Sequence, residues 1–287
     1  MDTSAATFTF DPRAPAFRTN PYAHYDLLRE RAPVLYWEVW GIWFLSRYDD
    51  CNALLRDPRL GHSHWEGEPP PEQRALVELQ RRWMLFKNPP DHTRLRGLVH
   101  KAFTPRIVAQ MRSQIQAITD GLLDRVQAAG QADLIADLAY PLPVTVIAAM
   151  LGVPAEDHAR FHVWSDALAH SLDLTEDPEV YNQASRAAVA LTTYLRTIIE
   201  QRRRQPQDDL LSALIVAEEG GGRLSEDELY ATVALLLVAG HETTVNLIGN
   251  GVLALLHHPD QLRRLRDDTT RHNTRASRTA RRTNGWC

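Results

Sequence analysis

Leu229 to Val238 is an almost unbroken apolar run, and Ala239-Gly240-His241-Glu242-Thr243-Thr244 follows it directly. A helix apolar on every side belongs in a large core. Ser225-Glu226-Asp227-Glu228 has the spacing of a capping box and marks its start. The pattern carries the helix to about His257, about 50 Å at about 1.5 Å per residue. A second helix is written in Ile107, Met111, Ile115, Ile118, Leu122 and Val126, which recur every three or four residues. Thr104-Pro105 opens it and Gly130 ends it. Pro141 and Pro143 open another, running through Leu151. Further helices are predicted over Tyr22 to Arg31, Glu72 to Trp83, Ala155 to Leu172, Pro178 to Arg203 and Asp208 to Glu218, with a short one that Tyr48-Asp49-Asp50 precedes and Asp57-Pro58-Arg59 ends. Val34 to Ser46 is aromatic and β-branched around Trp40-Gly41, which reads as a hairpin. Residues 1–20 are Pro-rich and irregular, and no internal repeat is apparent. The expected fold is mainly α with a small N-terminal β-hairpin.

The polar letters in the long helix change this picture. A carboxylate and two hydroxyls inside a core need partners or a task. Gly240 weakens the helix at that point. Thr243 and Thr244 can compete for its carbonyls and bend it. His241-Glu242 also invites a zinc-protease reading, but H-E-x-x-H needs histidine where Val245 stands.

A second polar cluster lies in Met84-Leu85-Phe86-Lys87-Asn88-Pro89-Pro90-Asp91-His92-Thr93-Arg94-Leu95-Arg96, continuing to Phe103-Thr104-Pro105. Pro89-Pro90 favours an extended approach, and Asp91 is placed to cap a helix over His92 to Lys101. His92 and Arg96, one turn apart, then share a face. An imidazole and a guanidinium there suit a dianionic ligand.

These two segments, in this order, resemble cytochrome P450. Ala239 to Thr244 is similar to that family's oxygen-binding stretch, Ala/Gly-Gly-x-Asp/Glu-Thr-Thr/Ser. The other segment is similar to the bacterial D-P-P-x-H-x-x-x-R with F-T-P after it, with Asn88 in place of the first Asp. Asn20-Pro21-Tyr22-Ala23 and His258-Pro259-Asp260 echo the same family. The resemblance implies a P450-like helical fold and haem as cofactor. It implies that His92 and Arg96 reach the haem propionates, that Ala239 and Gly240 line its distal face, and that Leu85 lies near its edge. Thr243 would hydrogen-bond dioxygen, and Glu242 would pass protons to it. The implied activity is hydroxylation or epoxidation of an apolar small molecule, with electrons from a ferredoxin or flavodoxin.

The family's E-x-x-R helix and its F-x-x-G-x-H/R-x-C-x-G loop do not occur in these 287 residues. The loop supplies the thiolate that ligates the iron. The chain therefore reads as residues 1–268 of P450 type, truncated after the oxygen-binding helix, with an unlike tail at 269–287. The two cysteines, Cys51 and Cys287, fit neither a disulfide framework nor a zinc site. Neither has the surroundings of a haem ligand, and no protein-held metal is expected. Before the tail, 36 acidic residues face 27 basic ones, whereas the tail holds five arginines and no acid. Such a tail has too little apolar surface to fold and reads as disordered. The apolar run is judged too short to span a bilayer, and no signal peptide opens the chain. A cytoplasmic protein with no membrane or nucleic-acid partner is expected. The rival readings are a non-catalytic P450 remnant, haem-free or weakly haem-binding, and a helical binding module with an Arg-rich nucleic-acid arm.

Overall fold

The computed structural model describes residues 10–62, 67–103, 105–173, 175–219, 222 and 224–267. Thr104, the tail at 269–287 and Cys287 lie outside these residues. The chain divides into two compact units, meeting between Gly61 and His62.

The first unit begins with α1 (Pro15–Thr19), a helical turn where irregular chain was expected. Pro15 at its first position has the backbone angle a helix needs. Then come α2 (Pro21–Arg31), the strands β1 (Val34–Trp37) and β2 (Ile42–Leu45), and α3 (Tyr48–Arg56). The strands pair antiparallel with Trp37 opposite Ile42. Gly41 closes the hairpin at φ +63°, which a Cβ would disfavour. Phe10 is buried edge-on against the rings of Phe17 and Phe44.

The second unit is helical among the described residues. α4 (Arg74–Gln80) follows a 3-10 turn at Pro71–Gln73 and ends short of the predicted Trp83. Trp83 instead leaves the helix, is fully buried, and stacks on Phe86. Next are α5 (Asp91–Ala102), α6 (Pro105–Ala129), α7 (Pro141–Met150), α8 (His158–His170), α9 (Pro178–Arg204) and α10 (Leu210–Glu219). Of the predicted stripe on α6, Met111 and Leu122 are buried, while Ile115 is exposed. A π-helical segment, Ile135–Ala139, leads into α7 and had no sequence signal. The Asp133 carboxylate starts it by accepting from the Ile135 and Ala136 amides.

The long helix is α11 (Glu226–His257), 32 residues packed on α7 and α8. It is long and apolar enough to cross a membrane, contrary to the sequence estimate. Half of its most apolar window is buried in this unit, as in a core helix. The chain then turns at His258, as the predicted end at His257 requires, into α12 (Pro259–Asp267), a helix not expected from the sequence.

Both halves of the capping box form: Ser225 accepts from the Glu228 amide, and Glu228 accepts from the Ser225 amide. Burial pushes the Glu228 carboxyl up, but hydrogen bonds from Arg94 and the Ser225 amide outweigh it and hold it low. Ser225→Ala should cost about 1 kcal/mol, read as a lowered denaturant midpoint at unchanged slope. Glu228→Ala should cost more, because it also releases Arg94 of α5.

Candidate active site

The six-residue motif is spread around α11. Leu229 to Leu235 is buried on every side, as the sequence implied. From Ala239 onward one stripe opens: Ala239, Thr243, Asn246, Leu247, Asn250, Leu253 and Leu256 are exposed. Their three- and four-residue spacing places them on one face. Gly240 points elsewhere, toward α7, where an added Cβ would lie 3.5 Å from Ile147. The helix continues through Gly240 unbroken, since the 1→5 ladder tolerates a lone glycine.

Thr243 is therefore not buried in mid-core; it is exposed on the open face. Its hydroxyl donates to the Ala239 carbonyl at 2.6 Å, and that of Thr244 donates to the Gly240 carbonyl at 3.1 Å. With its proton spent on the backbone, Thr243 presents lone pairs outward and can accept a further hydrogen bond. Glu242 is half-buried. Burial, and then the charges of Asp173 and Asp166, raise its carboxyl pKa, while His170 opposes them. A carboxyl that keeps its proton to higher pH is suited to donate it.

His92 and Arg96 sit on α5, whose buried side is formed by Leu95, Leu98, Val99 and Ala102. Pro89 and Pro90 form a turn rather than an extended approach. Pro90 holds the N-cap position, so Asp91 is the first helical residue and caps nothing with its side chain. Arg94 forks onto the Glu228 carboxylate, tying α5 to the first turn of α11. Among the described residues the side chains of His92 and Arg96 make no hydrogen bond or ion pair, and Arg96 is exposed. Unspent imidazole and guanidinium donors one turn apart fit the carboxylates of a porphyrin. Leu85, 46% exposed, lies on the 3-10 turn Met84–Phe86 that packs against α5, which brings an open apolar side chain to the same segment. The Arg94–Glu228 tie is about four turns from Thr243 along α11. Cys51 is half-buried, and its thiol donates to the Leu45 carbonyl at 3.5 Å.

Sequence reasoning missed a polar cluster behind the motif. His241 is 2% exposed and faces α8. Its Nδ1 lies 3.1 Å from the Ser165 hydroxyl, while its Nε2 has no partner. Tyr140 sets its ring against those of His241 and His162, and its hydroxyl donates to Asp166 at 3.0 Å. The His170 ring lies 2.8 Å from the Asp166 carbonyl. The signal was present, because His162, Asp166 and His170 recur every four residues along α8.

The family model for Cytochrome P450 matches residues 44–282. Cytochrome P450 monooxygenase PikC of Streptomyces venezuelae is 45% identical over 88% of this chain and 60% of its own length. Vitamin D(3) 25-hydroxylase of Pseudonocardia autotrophica is 42% identical over 93% of this chain and 65% of its own. Among solved structures, the polyketide synthase cytochrome P450 PksS of Bacillus subtilis superposes with a TM-score of 0.83 at 37% identity, over 95% of this chain and 69% of that one. P450BioI bound to an acyl carrier protein carrying hexadec-9Z-enoic acid gives 0.82 at 38%, over 89% and 66%. The chain thus spans 60–65% of these two curated relatives. Matched over most of its length by the family model, by close sequence relatives and by their folds, the chain belongs to the cytochrome P450 family.

Proposed function

We propose that this chain is the distal, oxygen-side part of a bacterial-type P450 monooxygenase that hydroxylates or epoxidises an apolar small molecule. The observation that carries the reading is the open Ala239–Thr243 face of α11, with the half-buried Glu242 carboxyl, raised in pKa by burial, beside it. When bound, haem supplies the oxygen-activating chemistry. His92 and Arg96 would hold its carboxylates, and Leu85 and Ala239 would contribute to its surroundings, while Gly240 backs onto α7. Thr243 orients dioxygen by accepting or relaying a proton at its hydroxyl. Glu242 supplies that proton from the polar cluster on α8. Polyketide, vitamin D(3) and hexadecenoic acid, in the relatives' names, are large apolar skeletons, which supports an apolar substrate here. Electrons come from a ferredoxin or flavodoxin, and the protein works in the cytoplasm.

These 287 residues do not hold the family's cysteine loop. Alone they act as a non-catalytic partner of haem at most. We expect the purified chain, given haem, dithionite and carbon monoxide, to develop no thiolate-type absorption. Joined to the cysteine-bearing third of a relative such as PikC, it should develop that absorption and consume dioxygen with a reductase system. A thiolate spectrum from the chain alone would make Cys51 or Cys287 a ligand. A thiolate-bound joined protein that never reduces dioxygen would overturn the monooxygenase reading.

A further inference from the structure

The cluster between α7, α8 and α11 has a feature that oxygen chemistry does not use. His241 is buried with one ring nitrogen satisfied and the other not. Ser165, its partner, is fully buried as well. A neutral imidazole carries one N–H and one lone pair, so the Ser165 contact leaves one polar atom unmatched. An imidazolium carries two N–H groups, and Nε2–H would then point at no acceptor. Among the described residues the surroundings offer none. From the turn before α7, the Tyr140 ring stands edge-on 4.8 Å from the His241 ring, and its hydroxyl is committed to Asp166. From α8, His162 lies 5.8 Å away, ring to ring, and would repel a second positive charge. Asp166, also on α8, is the carboxylate whose charge reaches His241, and it is shared between Tyr140 and the flanking His170 at 3.8 Å. On α11 itself, Glu242 responds to Asp173, His170 and Asp166 rather than to His241.

We propose that His241 is a proton-operated latch between α8 and α11: neutral, it seals the two helices through Ser165; protonated, it parts them. Burial and the charge of His162 lower its pKa from the ordinary 6.5 to about 4, against a weaker pull from Asp166. His162 is lowered too, again by burial. The open form takes up the proton more readily than the closed form does. The closed contact is therefore fully stable above the open-state value of 6.5, weakens as pH falls, and levels off below about 4. Because His241 adjoins Glu242, each opening also exposes the half-buried carboxyl. The latch makes the polar cluster a device that loosens in acid, beyond any role in oxygen chemistry.

The test uses the full chain. Amide hydrogen exchange, corrected for its intrinsic pH dependence, is followed in α8 and in the middle of α11 from pH 7.5 to 4. In parallel, the ring resonances of labelled histidines report protonation at His241. The opening constant of both segments should rise together, by up to about tenfold per pH unit while one proton is taken up. His241→Phe fills the space without titrating and should remove most of the acid-induced rise in opening, leaving only the part that belongs to buried His162. Equal loss of protection in wild type and His241→Phe would overturn the latch. If His241→Phe does not fold, the wild-type data decide alone. His241 titrating without any change in α8 exchange refutes the latch, and a shared midpoint supports it.

Discussion

Arg202→Ala is expected to cost about 3–5 kcal/mol of folding free energy, the largest effect of any single charge removal in this chain. The guanidinium is 9% exposed and its partner, Asp209, 8%. Arg202 Nε donates to Asp209 at 2.6 Å, and Nη2 donates to the Gly152 carbonyl at 2.6 Å. The other Asp209 oxygen accepts from the Ser212 amide at the start of α10. One guanidinium thus joins the turn after α7, the end of α9 and the start of α10. Truncating it leaves a buried carboxylate without its counter-charge and a carbonyl without its donor, and that penalty exceeds the worth of the pair itself. Gly152 has a positive φ of +70°, and an added Cβ would lie 2.1 Å from Asp209 Oδ2 and 2.7 Å from Arg202 Nη2. Gly152→Ala should therefore be as damaging as the charge deletion, by collision and backbone strain together. Arg202→Met with Asp209→Leu should recover part of the loss, since an apolar pair needs no compensation. Urea unfolding of the three variants beside wild type forms the test. A double variant no better than Arg202→Ala would contradict the mechanism.

Neither Arg202 nor Gly152 announced its role in the sequence, and the reason is general. Periodicity reports which side of a helix is buried, so the helices, the hairpin and the Ser225 capping box were legible. Pairings between elements far apart in sequence leave no such trace. The clamp and the Ser165–His241 contact, 76 residues apart, belong to this second kind. The same limit explains the error over Thr243. An apolar run upstream suggested burial all round, but whether a neighbour covers each face of α11 is a tertiary fact. Asp91 was misjudged for a local reason: Pro90 can take the cap position with helical angles, which moves the helix start back by one residue. The π-helical Ile135–Ala139 depends on packing against α11 and has no characteristic composition. The Ala239–Thr244 string and the His92–Arg96 pair, on which the proposed function rests, stand out in the sequence because each is a short local string.

The roles of those two strings separate in one comparison, made in a full-length form that carries the family's cysteine loop. Thr243→Ala should retain haem yet divert electrons into hydrogen peroxide, because it removes the hydroxyl that handles the proton and leaves the haem carboxylates untouched. Arg96→Ala should do the reverse and lose haem first. One hydrogen bond to a charged group is worth about 1.5–3 kcal/mol, about ten- to hundredfold in haem affinity. The structure makes the comparison clean. Thr243 gives up only its bond to the Ala239 carbonyl, and Arg96 gives up no described partner, so both variants should fold within about 0.5 kcal/mol of wild type. Arg94→Ala is the control, because it cuts the tie to Glu228 and should lower stability more than haem affinity. Haem titration and peroxide yield per electron pair are the two readings. If Thr243→Ala shed haem while Arg96→Ala kept it and made peroxide, the open stripe of α11 would be the carboxylate side and the assignment would be inverted. The reason is physical: a hydroxyl whose proton is held by its own backbone contributes little to binding an anion, and a free guanidinium has no proton to give at neutral pH.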